Sequence, residues 1–154
     1  MKHSMRDLVC LLLLLGVMAI GPQSFAQAQA KPSQAPFWVD PATGLTWAKK
    51  DNGSDATYSH AGEYCRNLTL GGRTGFRLPT IDELSGIFVW SKAGQPGLHP
   101  KGGISLSWPG VWSSTEGNNS DEKWAFSFYN GSRGSSEIGP GHINRALCVR
   151  SPGE

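Results

Sequence analysis

Cysteine is scarce in this 154-residue chain, with three in all. Cys10 sits in the N-terminal segment, so any folded domain downstream has only Cys65 and Cys148. Charge of either sign is also in short supply: the formal net charge is +2. Lys2, Arg6 and Asp7 lie at the very start, and the remainder is nearly balanced. That excludes the broad basic field a nucleic-acid binder needs and the acidic excess that would point to a polycation. Long apolar runs are missing too. The stretch 8–20 is too short to span a bilayer comfortably. His60, His99 and His142 are far apart with no ligand-like spacing, so no zinc site is indicated. The serines near Trp112 have no G-x-S-x-G context and no paired histidine, which leaves hydrolase chemistry unsupported. No internal repeat is visible, and no cofactor is implied.

What is present begins with a leader. Lys2, His3 and Arg6 precede the apolar stretch, and Ser24-Phe25-Ala26, Ala26-Gln27-Ala28 and Ala28-Gln29-Ala30 are small-residue cleavage patterns. Residues 1–30 therefore read as a secretory signal, and the protein is expected to be exported, to the periplasm or beyond the cell. An uncleaved anchor is the competing reading. Cys10 stands near the start of the apolar stretch, with the leucine run 11–15 after it rather than before it, so it is not placed for lipidation. No membrane association is expected after cleavage. The four Asn triplets at Asn52, Asn67, Asn118 and Asn130 match the glycosylation pattern but are taken as chance, because the leader has a bacterial character.

The mature length suits one hydrophobic core. Residues 31–36 read as a polar linker and 37–151 as a single domain. Cys65 and Cys148 most simply form a disulfide in an oxidising compartment. Closing so long a loop stabilises by about 4 kcal/mol in the chain-entropy account. A reactive or metal-binding thiol pair is the alternative.

Short strands are expected at 37–39 and 45–48, around the turn chemistry of Asp40-Pro41-Ala42-Thr43-Gly44. Tyr58, Ala61, Tyr64, Cys65 and Leu68 recur at helical spacing and predict a helix over 57–68, with Cys65 on its core side. Leu70-Gly71-Gly72 stops it. Phe76-Arg77-Leu78 is a short extended run before Pro79. Thr80 and Glu83 form a capping box that opens a second helix. Residues 90–110 hold five Gly and three Pro with no period, a long irregular loop of the kind that often carries function. Strands follow at 111–114 and 124–128, then the tight-turn pair Asn130-Gly131, a returning strand at 135–138 and a last one at 145–150. In the last, Ala146, Cys148 and Arg150 should share one face. Helices early and strands late argue for α+β with an antiparallel sheet.

Several landmarks together carry a resemblance. They are Thr43-Gly44-Leu45-Thr46-Trp47, the segment 61–68 around Cys65, Phe76-Arg77-Leu78-Pro79-Thr80 with Glu83-Leu84, Trp112-Ser113-Ser114-Thr115, Trp124-Ala125-Phe126 and Cys148-Val149-Arg150. In this order they resemble the Lcl C-terminal domain-like family, named for a bacterial collagen-like adhesin. The resemblance implies a C-type-lectin-like fold, distantly similar to the formylglycine-generating enzyme domain. It implies two helices packed on a small twisted antiparallel sheet, a Cys65–Cys148 pair, and domain ends held together by the first and last strands. Phe76 stands where the family usually has Trp, and Leu147 where it often has Arg.

The candidate binding residues are Trp90, Lys92, His99, Lys101 and Trp108 in the irregular loop. Aromatic faces stack on the C–H face of a sugar, and neighbouring cations meet sulfate or carboxylate groups. The competing reading makes both Trp core plugs. Arg77, Thr80 and Glu83 are expected to be structural, with Arg77 pairing to Asp82, Glu83 or loop carbonyls. A lectin-type calcium site is not indicated, since Gln95-Pro96-Gly97 lacks the final carboxylate and no Trp-Asn-Asp follows. The expected function is non-catalytic binding of an anionic polysaccharide or another envelope component. An enzyme or metal protein related to the formylglycine-generating fold, or a purely structural envelope module, is the alternative.

Overall fold

The computed structural model describes residues 35–154. The leader and most of the linker lie outside the described residues. The domain is α+β, built from two α-helices and two three-stranded antiparallel sheets.

The first sheet has the order β1 (Phe37–Val39), β2 (Thr46–Ala48), β6 (Val149–Arg150). Asp40 makes the β1–β2 turn. Its carboxylate accepts from the Ala42 N–H (3.0 Å) and the Thr43 hydroxyl (2.8 Å), so the chain reverses around one nearly buried side chain. The first and last strands flank β2, which brings both ends of the domain into one sheet.

Helix α1 (Tyr58–Asn67) begins at Thr57, whose hydroxyl caps the His60 N–H. Ala61 and Cys65 form its buried stripe. Helix α2 (Ile81–Gly86) has the capping box read from Thr80 and Glu83: the Thr80 hydroxyl accepts from the Glu83 N–H (3.2 Å), and Glu83 accepts from the Thr80 N–H (2.8 Å). The second sheet, β3 (Gly110–Glu116), β4 (Glu122–Ser127) and β5 (Arg133–Glu137), packs against α2. Phe88, Phe126 and Phe128 meet at its foot, with ring centroids 5.0–6.2 Å apart.

Two expectations are corrected. There are two small sheets where one was expected, and the segment 145–148 is not a regular strand with alternating faces. Ala146, Leu147, Cys148 and Val149 are all buried. The reason is position. Arg145 bridges to Val111 of β3, while Val149 pairs with Trp47 of β2 and bridges to Arg77. The last segment threads between the sheets and has no solvent face. The Cys65–Cys148 disulfide fastens it to α1, with the two Cα atoms 5.4 Å apart.

Candidate functional site

The irregular segment after α2 is held at many points. Trp90–Lys92 is a single 3₁₀ turn. The Lys101 ammonium donates to the Gly86 carbonyl at the end of α2 (2.8 Å), a favourable place for a cation. The Trp38 ring covers Gly102, whose φ of +69° and missing side chain make that approach possible. Ser105 N–H bonds to the Lys49 carbonyl (2.8 Å), and Ser107 donates to the nearly buried Asp51 carboxylate from both backbone (2.6 Å) and hydroxyl (2.9 Å). A chain of about twenty aperiodic residues is thus fixed by partners distant in sequence.

Phe128, just after β4, gathers both ends of that segment. Its N–H donates to the Pro109 carbonyl (2.9 Å) and its carbonyl accepts from the His99 N–H (3.1 Å). Trp108 precedes Pro109, Tyr129 follows Phe128, and Trp90 lies over Gly131 in the same hairpin turn. The Trp90 ring therefore rests on the hairpin turn, and the backbones of Trp108 and Tyr129 adjoin the residues bonded at that end. Their exposures are 55% for Trp90, 51% for Trp108 and 49% for Tyr129, so neither Trp is a core plug.

Trp90 is set edge-on to Phe88 (5.0 Å between centroids). Lys92 is exposed in the same turn. His99 is half-buried, its Nε2 lying 3.1 Å from the Gln95 carbonyl. Trp108 has the Arg145 guanidinium 6.0 Å from its ring centre, and Arg145 also pairs with Asp55. Lys101 stands apart from this group, engaged at the α2 terminus. Tyr129 and Arg145 were not singled out in the sequence. Tyr129 follows the strand 124–128, one residue before Asn130-Gly131, and that placement was the available signal.

Arg77, Thr80 and Glu83 form a separate node. Arg77 makes a two-pronged ion pair with Glu83 (2.8 and 2.7 Å) and also donates to the Leu78 carbonyl (3.2 Å) and the Ser151 hydroxyl (3.3 Å). Burial pushes the Glu83 carboxyl up, but the Arg77 hydrogen bond and the Thr80 backbone bond together hold it below the ordinary carboxylate range. The Glu83 hydrogen bond in turn raises Arg77.

Two clefts lie along α1. One, of about 520 Å³, is bounded by Tyr64, Leu68, Leu70, Lys49 and Asp51. The other, of about 410 Å³, is lined by Tyr58, Ser59, Gly62, Arg66, Arg77, Leu78 and Ser114. Among the described residues no three His, Cys, Asp or Glu side chains are grouped to hold a metal ion. No helix among them is long and apolar enough to cross a membrane.

A comparison with curated proteins finds no match. The model of one family, the Lcl C-terminal domain, matches residues 37–150, which run from β1 through β6 and include both disulfide cysteines. The chain belongs to the Lcl C-terminal domain family.

Proposed function

We propose that this chain is a non-catalytic, extracytoplasmic binding protein with a C-type-lectin-like fold, and that it holds an anionic polysaccharide or another anionic envelope component. The observation that carries the reading is that Trp90, Trp108 and Tyr129, each about half exposed, all lie at or next to residues held at one hairpin end. Half-exposed rings held by a packed scaffold lose little freedom when a sugar stacks on them. Lys92, in the 3₁₀ turn with Trp90, supplies a cation for a sulfate or carboxylate group. The disulfide supports an oxidising compartment, in keeping with the leader. It also supports the non-catalytic reading. Both mature-chain cysteines, which a formylglycine-type oxidase would need free, are joined to each other.

A glycan array run at two salt concentrations tests this. Sulfated and uronic polymers should be retained at low salt and released at high salt. Trp90→Ala and Lys92→Ala should each weaken capture by about three- to tenfold, the scale of one aromatic or charged contact, with melting unchanged in Lys92→Ala and somewhat lowered in Trp90→Ala, which loses its edge-on contact with Phe88. Lys101→Ala should also disturb the end of α2. Failure to retain any glycan at either salt concentration would overturn the reading.

A further inference from the structure

The α1 cleft of about 410 Å³ carries an arrangement that the hairpin face does not use. Ser59, Gly62 and Arg66 are spaced three and four residues apart on α1, so they share one helix face. Arg77, Leu78, Ser114 and Tyr58 complete the lining. The Tyr58 ring is fixed on two sides. It stands edge-on to Trp112 at 5.9 Å, and the Lys123 ammonium lies 5.2 Å from its centre.

The charges around the cleft nearly cancel. Arg77 is matched by Glu83, and Lys123 by Glu116. Arg66 has no ion-pair partner among the described residues. It is given its place by Gly62: a Cβ there would stand 3.2 Å from Arg66 Nη1. The cleft therefore presents one unneutralised planar cation beside the apolar surface of Tyr58, Gly62 and Leu78. Hydroxyl groups are few. Ser114 already donates to the Pro79 carbonyl (3.2 Å), which leaves the hydroxyls of Ser59 and Tyr58. A polyhydroxylated sugar acid would find little to bond, and a polysulfate would find only one free charge.

We infer that this cleft binds a single carboxylate attached to an apolar body, the chemistry presented by an N-acylated amino acid or by the last residue of a peptide. The Arg66 fork takes both carboxylate oxygens, the apolar side chain lies along Tyr58 and Leu78, and the Ser59 hydroxyl meets the acyl carbonyl. The site is independent of the hairpin face.

Calorimetric titration of the purified protein with N-acetyl-L-leucine, N-acetyl-L-leucinamide and D-glucuronate tests it. N-acetyl-L-leucine should bind at least about tenfold more tightly than the amide, which lacks the charge, and more tightly than glucuronate, which lacks the apolar body. Arg66→Lys keeps the favourable charge at the end of α1 and loses the fork. It should weaken binding about fivefold with melting unchanged. A blocked glycyl peptide ending in leucine separates the two sources: tighter binding than N-acetyl-L-leucine assigns a chain end, and weaker binding assigns the single acylated residue. Trp90→Ala should leave this affinity intact, and Arg66→Lys should leave glycan capture intact, so the two sites fail separately. Equal affinity for acid and amide, glucuronate binding as tight as N-acetyl-L-leucine, or indifference to Arg66→Lys would overturn the inference.

Discussion

Glu83 serves two partners at once. It satisfies the Thr80 N–H at the start of α2 and neutralises the Arg77 fork. Losing it would uncap a helix and leave a half-buried guanidinium short of bonds. Glu83→Gln should therefore cost about 1–2 kcal/mol at neutral pH, measured as a drop in the urea midpoint. The pH dependence has a definite sign. The folded-state pKa of Glu83 is depressed, so its stabilisation is fully present above the unfolded carboxylate value of about 4.3. It is lost as pH falls through the lower folded value. Urea midpoints should fall on acidification below about pH 4.3, and less steeply in Glu83→Gln. This node was legible in the sequence because its members lie within seven residues of one another. Asp51, which anchors Ser107, and Arg145, which lies by Trp108, were not legible, because nothing local marks a partner tens of residues away.

Among the elements, the β4–β5 hairpin shapes the aromatic face. Gly131 has a φ of +77°, and a Cβ added there would lie 2.8 Å from Trp90 and 2.9 Å from Phe88. Gly131→Ala should cost about 1–2 kcal/mol in stability. It should also push Trp90 outward, seen as a red shift in tryptophan emission. Unchanged emission would show that Trp90 does not rest on the turn. The helices were readable almost to the residue, since a 3.6-residue period and a capping box are local signals. The irregular loop was readable only as irregular. Its path is set by Trp38, Lys49, Asp51 and Phe128, none of which lies within it. The last strand was misread in its faces because alternation reports a half-buried sheet, and this segment is enclosed on both sides.

Across the whole molecule, the final segment joins the two sheets, and the disulfide ties it to α1. Replacing Cys65 and Cys148 together with Ala should lower unfolding stability by about 4 kcal/mol, the entropy of opening so long a loop. The hairpin-end aromatics should keep their arrangement wherever the protein remains folded. The pairing was legible from cysteine count and context, whereas the division into two sheets was not. It depends on isolated bridges such as Val111 to Arg145, which leave no periodic trace.

The most direct test of binding at the hairpin end uses the six tryptophans as reporters. Their indole N–H signals are followed by NMR while dextran sulfate is added, with neutral dextran as control. The signals of Trp90 and Trp108 should move with dextran sulfate and return at high salt, while those of the buried Trp47 and Trp112 stay still. Movement confined to other tryptophans, or none at all, would contradict binding at that face.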